Sequence, residues 1–228
     1  MKNKLEVKDL WHTYADGQRE VEVLKGVTTT FEAGKTYAIV GESGSGKTTL
    51  ISLIAALDSV QKGDITFNGK SIRKIGESEF RLRYVNIVFQ AYNLIRYMTA
   101  RENVEVALDF AKYVGDEHAR AYELLERVGV KRTEADRLVN KLSGGQQQRV
   151  AIARATASEV PIVVADEPTG NLDEKTEVKV LEILKSLANE GKIVIVVTHS
   201  PKVASELAAT TLRMESGKII SASAKRAA

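Results

Sequence analysis

Short apolar runs alternate with amphipathic stretches along this chain, which is the pattern of an α/β protein. Buried strands are predicted where the apolar runs are continuous, at 37–40, 85–89, 162–165 and 192–197. Helices are predicted where apolar residues recur every three or four positions, at 50–57, 117–128 and 174–190. On the last of these helices we expect one apolar face, formed by Val178, Leu181, Leu184 and Leu187. Shorter mixed strands predict a small antiparallel sheet, at 5–10, 21–24, 27–31 and 63–69.

The stretch from 99 to 141 has helical spacing and no β-branched runs, so we interpret it as part of a helical subdomain inserted into the α/β core. The predicted fold class is α/β, with a mainly parallel sheet, a small antiparallel β-subdomain and this helical insertion. One domain is expected. Its core and β-subdomain are assigned to 1–90 and 158–220, its helical subdomain to 91–157, and a flexible tail to 221–228.

The chain has 228 residues, 43% of them hydrophobic, which suffices for the core of a single α/β domain. Its 33 basic and 30 acidic residues are too balanced to indicate nucleic acid as the main partner. The lack of cysteine excludes disulfides. No apolar run approaches the ~18 residues of a membrane span, and none follows the polar N-terminus as in a signal peptide. We therefore expect a cytosolic protein that acts at a membrane only through a partner.

A glycine-rich loop fits the pattern G-x-x-x-x-G-K-[ST] between a predicted strand and a predicted helix. Glycines let the backbone curl closely around a polyphosphate, whose charge suits the N–H groups at a helix start. Lys47 adds a positive charge near the β- and γ-phosphates, and the Thr48 hydroxyl is placed for Mg²⁺. The alternative is a glycine-rich turn without a ligand. The loop residues expected to bind a nucleotide are Gly41, Ser43, Gly44, Ser45, Gly46, Lys47, Thr48 and Thr49.

Two adjacent carboxylates, Asp166 and Glu167, follow the predicted strand 162–165. Because side chains alternate along a strand, the two point in different directions. One of them can reach Mg²⁺ while the other addresses a water molecule at the γ-phosphate. The alternative is a polar strand end that meets solvent.

A second glycine loop, Leu142-Ser143-Gly144-Gly145-Gln146, opens a second helix, and the same argument makes it a second anion site. Two such sites are too many for one nucleotide in one chain, unless a second copy of the protein supplies one of them. The alternative is an ordinary helix start that is capped by Ser143.

Gln90 and His199 each follow a buried strand, and open α/β sheets bind ligands at the carboxyl ends of their strands. Gln90 is also explained as a hydrogen-bonded amide at a strand end. His12 and His118 are interpreted as structural or exposed. Tyr14 either stacks on an adenine ring or belongs to the core.

Together these residues resemble those of an ATP-binding-cassette (ABC) ATPase, the nucleotide-binding subunit of ABC transporters. The resemblance covers residues 5–220, with the family's motifs in order. These motifs are the adenine-stacking aromatic Tyr14, Walker A from Gly41 to Thr48, the Q-loop Gln90, the LSGGQ sequence from Leu142 to Gln146, Walker B from Ile162 to Glu167, the D-loop Asn171-Leu172-Asp173 and the switch His199. LSGGQ is far more specific than Walker A, and a simple P-loop kinase has no use for it.

The resemblance implies hydrolysis of ATP to ADP and phosphate by two subunits that pack head to tail around two Mg²⁺-ATP. Ser143 and Gly145 of one subunit then face the γ-phosphate held by Lys47 of the other. The implied catalytic residues are Glu167, His199, Lys47 and Gln90, and the implied Mg²⁺ ligands are Thr48, Gln90 and Asp166. Besides the glycine loop, the implied ATP-binding residues are Tyr14, Ser143, Gly144, Gly145, Gln146 and Asp173.

The finer resemblance is to the MacB, LolD and FtsE group, whose members drive macrolide or peptide export, lipoprotein release and cell-wall remodelling at division. It implies an integral membrane permease that is contacted through the segment from Gln90 to Val104. Ala91 stands where a polar residue is common, and a usual proline is absent from 94–99, so the choice of partner stays open. A soluble ABC ATPase acting on ribosomes or DNA is disfavoured by the single cassette and the short helical block. A non-catalytic scaffold is disfavoured by the intact Glu167 and His199.

Overall fold

The computed structural model describes residues 3–17, 19–170 and 172–224, and in this part of the chain ten strands form two sheets. The strands are β1 (Lys4–Asp16), β2 (Arg19–Glu32), β3 (Thr36–Val40), β4 (Lys62–Phe67), β5 (Lys70–Ser71), β6 (Val85–Val88), β7 (Ile162–Asp166), β8 (Ile193–Val197), β9 (Thr210–Glu215) and β10 (Lys218–Ala224). The helices are α1 (Lys47–Ile54), α2 (Ile72–Ile75), α3 (Glu77–Arg83), α4 (Ala100–Phe110), α5 (Glu117–Arg127), α6 (Arg132–Ala135), α7 (Gly144–Ala155), α8 (Glu174–Asn189) and α9 (Pro201–Leu207), with a 3-10 turn at Val139–Lys141.

The larger sheet has the strand order β10-β9-β3-β8-β7-β6 and is parallel from β9 to β6. β10 is added to β9 in the antiparallel direction. Because the inner strands are parallel, the carboxyl ends of β3, β6, β7 and β8 lie along one edge, where the segments that follow them meet. The predicted α/β fold with a mainly parallel sheet is therefore confirmed.

The larger sheet is buried on both faces, which explains why its central strands are continuous apolar runs. One face of β7 and β8 packs with α7 and α8 through Val163, Ala165, Val194 and Val196. The opposite face packs with α1 and the smaller sheet through Ile162, Val164, Ile193, Ile195 and Val197. This alternation anchors the carboxyl edge of the sheet on both sides.

The smaller sheet is antiparallel and has the order β2-β1-β4-β5. Its β2 is one strand, where the sequence pattern predicts two strands at 21–24 and 27–31. Gly26, between the two predicted strands, has a φ of 74° and lies where the pairing with β1 shifts register. Glycine therefore makes a bulge at this position and does not end the strand.

Helices α4 to α7 lie within the block where helical structure is predicted, and their buried side chains belong to the same hydrophobic cluster as one face of the larger sheet. A capping box starts α4: the Thr99 side chain accepts from the Glu102 N–H, and the Glu102 carboxylate accepts from the Thr99 N–H. No helix in the described part of the chain is long and apolar enough to cross a membrane.

The predicted apolar face of α8 is wrong at one position. Val178 is 42% exposed, whereas Val180 is fully buried beside Leu181, Leu184 and Leu187. Each step of three residues turns a helix by about 300°, so Val178 lies about half a turn from Leu187. A strict three-residue spacing therefore drifts off the buried face.

The tail predicted to be flexible at 221–228 is partly a strand. Residues 221–224 belong to β10 and pair with β9, from Ser221 opposite Arg213 to Ala224 opposite Thr210. This pairing uses backbone groups, so small polar side chains do not prevent it. Residues 225–228 lie outside the described part of the chain.

Candidate active site

A cavity of about 440 Å³ lies at the carboxyl edge of the larger sheet. Its lining residues are Val23, Ser43, Gly44, Gly46, Lys47, Thr48, Thr49, Gln90, Asp166, Glu167, Val197 and His199. The glycine loop, the glutamine, the paired carboxylates and the histidine thus meet in one place, although each is predicted from a separate stretch of sequence. Val23 of β2 also lines the cavity but is not among the predicted site residues, because the sequence pattern of a strand does not predict contact with a distant loop.

The glycine loop passes from β3 into α1, and two of its glycines are required for different reasons. Gly46 precedes α1 with a φ of 97°, a conformation that residues with side chains rarely adopt. A Cβ on Gly41 would lie 2.3 Å from the Met214 carbonyl oxygen of β9, so Gly41 permits close packing. The loop also borders a second, neighbouring cavity of about 820 Å³. Gly41 and Ser45 line this second cavity and do not line the cavity of about 440 Å³.

The Lys47 ammonium group is buried inside the loop and has no carboxylate partner in the described residues. Its Nζ donates to the carbonyl oxygens of Gly41 at 2.9 Å and Glu42 at 2.7 Å, with the Ser45 hydroxyl oxygen at 3.4 Å. Carbonyl oxygens orient the ammonium group without neutralising its charge. The loop therefore holds a fixed cation whose direct hydrogen-bond partners are neutral oxygens, and such a cation suits a polyphosphate.

Glu167 and His199 are in direct contact across the cavity. Glu167 Oε1 accepts from the His199 backbone N–H at 2.9 Å and lies 2.8 Å from the ring nitrogen Nδ1. Glu167 has a φ of 45°, an unusual conformation for a residue with a side chain and one that is frequent at functional sites. The backbone N–H of Glu167 donates to the Val197 carbonyl at the end of β8, which keeps the two strand ends together.

Burial raises the pKa of the Asp166 carboxyl, and the neighbouring charge of Glu167 raises it further, while Lys47 opposes both effects. Asp166 therefore lies in a site that disfavours its negative charge in the absence of a compensating cation. In the described part of the chain no cluster of three or more His, Cys, Asp or Glu side chains is arranged to hold a metal ion. The oxygen donors of Thr48, Gln90 and Asp166, which line one cavity, nevertheless fit Mg²⁺, since this ion keeps several water ligands and binds phosphates.

Tyr14 does not line the cavity. The side chain is 40% exposed, its hydroxyl donates to Asp58 Oδ2 at 3.0 Å, and its ring meets the ring of His12 edge to face. A partly exposed ring is compatible with stacking, and a purely core aromatic would be buried. Asp58 and His12 are contacts that the sequence pattern does not reveal, because Asp58 follows α1 in an irregular segment.

Ser143, Gly144, Gly145 and Gln146 do not line the cavity of their own chain. The Ser143 hydroxyl oxygen accepts from the Gln146 N–H at 3.3 Å, and Gln146 Oε1 accepts from the Ser143 N–H at 2.8 Å. This is a capping box, as expected if the segment is an ordinary helix start that is capped by Ser143. The Ser143 side chain is exposed. If the LSGGQ turn is also an anion site, it must act on another copy of the chain.

Asp173 is also placed away from the cavity, at the start of α8. Its carboxylate accepts from the Thr176 N–H at 3.1 Å and from the Thr176 hydroxyl at 2.7 Å, and these two hydrogen bonds lower the pKa of Asp173. Asn171 of the predicted D-loop lies outside the described residues. The fold and the cavity together define a P-loop nucleotide-binding protein.

Residues 24–170 match the ABC transporter family. The uncharacterized ABC transporter ATP-binding protein YclH of Bacillus subtilis is 45% identical over 184 residues, which are 80% of this chain and 81% of that protein. An uncharacterized ABC transporter ATP-binding protein of Thermotoga maritima is 42% identical over 96% of this chain and 94% of its own length. The macrolide export ATP-binding/permease protein MacB of Shigella boydii is 41% identical over 95% of this chain, which spans 34% of that protein.

Solved structures of similar sequence share this fold. The dimeric bacterial ABC transporter cassette MJ0796 superposes with a TM-score of 0.90 at 36% identity, covering 98% of this chain and 100% of that one. The same cassette in a dimeric post-hydrolysis state bound to ADP and Pi superposes with a TM-score of 0.90 at 34% identity. The chain belongs to the ABC transporter family. It is an ATP-binding subunit of that family and an ATPase.

Proposed function

We propose that two copies of this chain close head to tail around two Mg²⁺-ATP, and that closure and hydrolysis drive a conformational change in a membrane permease. The observation that carries the proposal is the convergence of Lys47, Gln90, Asp166, Glu167 and His199 on one cavity. Loops from four parallel strands supply these groups, so a change at the γ-phosphate acts on several elements at once.

Within the cavity we assign binding of the β- and γ-phosphates to Lys47 and the loop N–H groups, which stabilise negative charge in the transition state. Glu167 positions the attacking water and accepts its proton. His199 contacts the Glu167 carboxylate and orients it, and it also positions the γ-phosphate. Gln90 follows β6 and links the nucleotide to the segment that leads into α4.

We assign Mg²⁺ to Thr48, Asp166 and Gln90. When bound, the ion neutralises charge on the phosphates. Asp166 bears a carboxylate in a site that disfavours its charge, as the direction of its pKa shift indicates. Asp166 is thus a group whose ionisation is more favourable with a cation present than without one.

Asp166→Asn is expected to raise the free energy of unfolding at neutral pH and to lower the Mg²⁺-dependent hydrolysis rate by at least about 10- to 100-fold. Because the pKa of Asp166 is raised on folding, its contribution to stability is present below about pH 4 and lost as the pH rises through the folded-state pKa. The gain in stability should therefore be seen near pH 7 and disappear in acid. Chemical denaturation at both pH values measures it, and a variant less stable at pH 7 contradicts the assignment.

Tyr14→Ala is expected to weaken ATP binding by about 1–3 kcal/mol, the contribution of one base stacked on an aromatic ring. The Tyr14 side chain lies outside the phosphate cavity, so the variant should keep its phosphate contacts. Titration calorimetry with ATP measures the change. An unchanged affinity would return Tyr14 to a purely structural role.

The position of the LSGGQ turn supports the dimer. Its residues contact no part of their own phosphate cavity, yet Ser143 is exposed at the start of α7, where a helix attracts anions. A second copy related by two-fold symmetry would place this turn at the opposite cavity and vice versa. The dimeric state of the similar cassette MJ0796 supports the pairing of two copies.

A second surface supports the permease partner. A groove of about 450 Å³ runs between α3, β6 and α4, and three large apolar side chains that line it are well exposed, namely Leu57, Leu82 and Phe110. Ile95 and Asn103 bring the proposed partner segment, from Gln90 to Val104, to this groove. The charged groups that line it are Arg81 and Arg154, both bonded to backbone carbonyl oxygens. An amphipathic cytoplasmic segment of the permease with an acidic residue fits this chemistry.

Leu82→Glu is expected to abolish co-purification with the permease partner, while the isolated chain keeps its ATPase rate. When the permease binds, the introduced carboxylate would be buried away from solvent, which is unfavourable for a charged group. It would also repel an acidic residue of the partner. Val114→Glu is the control, because Val114 is 94% exposed and does not line the groove. Retention of the permease by Leu82→Glu at the wild-type level would show that the partner docks elsewhere.

We infer that ATP hydrolysis by this chain drives either export, for example of a macrolide or a peptide, or a related force-transmitting process such as lipoprotein release. The relatives that favour it include MacB and the pyoverdine export ATP-binding/permease protein PvdT of Pseudomonas aeruginosa, 42% identical over 96% of this chain. An FtsE-like role in cell-wall remodelling is the second candidate. Either role places the chain on the cytoplasmic face of the membrane through its permease.

A further inference from the structure

Tyr14 is held by two residues that do not line the phosphate cavity. Its hydroxyl donates to Oδ2 of Asp58 at 3.0 Å, although 44 positions separate the two residues. The ring of His12 meets the Tyr14 ring edge to face, with centroids 4.6 Å and planes 70° apart. The hydrogen bond fixes the tip of the tyrosine, and the ring contact supports its body.

Asp58 also links Tyr14 to the helix that carries the glycine loop. Asp58 follows the end of α1, while Thr49 lies in the first turn of the same helix. Burial raises the pKa of the Tyr14 phenol most; the nearby Thr49 hydroxyl lowers this pKa, and the Asp58 carboxylate raises it. The hydrogen bond to Asp58 therefore sets the tyrosine hydroxyl at a fixed place relative to the segment that follows α1.

His12 contributes by its shape. Its side chain is buried, and neither Nδ1 nor Nε2 has a hydrogen-bond partner within the described residues. An unpaired buried nitrogen is unfavourable, so hydrogen bonding does not explain histidine at this position. What the ring provides is an edge-to-face contact with the Tyr14 ring.

We propose that Asp58 and His12 are positioning residues that hold Tyr14 as a preformed platform for the nucleotide base. The proposal rests on the function proposed above and extends it to residues that do not line the phosphate cavity. Tyr14 is 40% exposed, so part of its surface is open to a base. Its hydroxyl is already bonded to Asp58, so the platform offers the base a ring surface without a free phenol donor. A ring fixed before binding loses little conformational freedom when the base stacks on it.

The test compares ADP, which has a base, with inorganic pyrophosphate, which has none. Asp58→Ala and Tyr14→Phe each break the same hydrogen bond, and the second removes only one oxygen atom. We expect each to weaken ADP binding roughly 2- to 12-fold, the equivalent of immobilising one side chain, with pyrophosphate binding unchanged. The double variant should be no weaker than either single variant, since both remove one interaction. Titration calorimetry gives both affinities.

His12 is tested by a pair of substitutions. His12→Phe keeps a flat ring edge and removes the two unpaired nitrogens, so the variant should bind ADP as the wild type does. His12→Ala removes the support and should weaken ADP binding by a factor similar to that of Asp58→Ala. Asp109→Ala is the control for loss of a carboxylate, because Asp109 is exposed on α4, far along the chain from this contact.

The contrast between the two ligands separates positioning from general damage. If Asp58→Ala and Tyr14→Phe bind ADP with wild-type affinity, or if they lose ADP and pyrophosphate binding equally, the proposal is overturned. Failure of the proposed function would look different. In that case the wild-type chain would bind neither ligand, or Lys47→Ala would leave both affinities unchanged.

Discussion

Glu167→Gln is expected to lower the rate of ATP hydrolysis by about 10² to 10⁴, the usual contribution of a general base. Glutamine has nearly the same size and can still accept the hydrogen bond from the His199 backbone N–H, which the carboxylate accepts at 2.9 Å. An amide does not accept a proton from water at neutral pH. The rest of the cavity is unchanged, so we expect ATP to bind with wild-type affinity.

The trapped complex should also report on the dimer. With hydrolysis blocked, ATP is expected to convert the Glu167→Gln chain from monomer to dimer, which size-exclusion chromatography with light scattering detects. Without ATP the same variant should stay monomeric. A monomer that binds ATP tightly would mean that closure requires the permease, and adding the permease would then restore it.

Glu79→Gln is a suitable control for the hydrolysis assay. Glu79 lies on α3, where it forms an ion pair with Arg83 at 2.6 Å and does not line the cavity. An exposed pair of this kind contributes little to stability, so the control should hydrolyse ATP normally. If Glu167→Gln also hydrolyses ATP near the wild-type rate, Glu167 is not the base.

Ser143→Ala is expected to lower hydrolysis by about 10² to 10³ without weakening ATP binding in the variant's own cavity. The rate effect is that of removing one hydrogen-bond donor from a developing negative charge. The unchanged binding follows from position, because Ser143 does not line the cavity of its own chain. Steady-state hydrolysis and equilibrium binding of ATP measure the two quantities separately.

The capping role of Ser143 needs its own control. The Ser143 hydroxyl accepts from the Gln146 N–H, and its loss should cost about 1 kcal/mol of stability whether or not it meets a nucleotide. Thr99→Ala removes the equivalent acceptor from the capping box of α4. The two variants should therefore be similarly destabilised, while Thr99→Ala keeps its ATPase rate.

A mixing experiment separates the two roles further. Lys47→Ala and Ser143→Ala should each be inactive alone. A mixed dimer has one intact site, formed by Lys47 of one subunit and Ser143 of the other. With random pairing about half of the dimers are mixed, so roughly a quarter of the wild-type activity should return. A normal rate for Ser143→Ala alone would leave Ser143 as a helix cap and remove the basis for the shared site.

Most of the chemistry could be predicted from local patterns. The glycine loop needs a positive φ at Gly46 and a helix start at Lys47, and both requirements lie within a few residues. The strand ends carrying Asp166, Gln90 and His199 are likewise visible, because runs of apolar residues mark buried strands. Parallel strands then bring these ends to one edge, so the grouping in the cavity follows from the predicted fold class.

Features that depend on contacts between residues far apart along the chain could not be predicted from local patterns. The bulge at Gly26 depends on pairing with β1, and the continuation of β10 to Ala224 depends on pairing with β9. The phase of α8 depends on which side of the helix the sheet covers, so Val178 is exposed and Val180 buried. Propensity and spacing describe neighbours along the chain and contain little about such pairings.

The sequence by itself determined the fold class, the phosphate loop, the strand-end residues and the membership implied by LSGGQ, because each depends on residue types at short, fixed spacings. Only the tertiary structure decided that Lys47 is held by loop carbonyl oxygens, that Ser143 lies apart from the cavity of its own chain, and that Asp58 bonds Tyr14. These contacts depend on how the loop closes and how its elements pack, and packing results from the summed interactions of the whole chain.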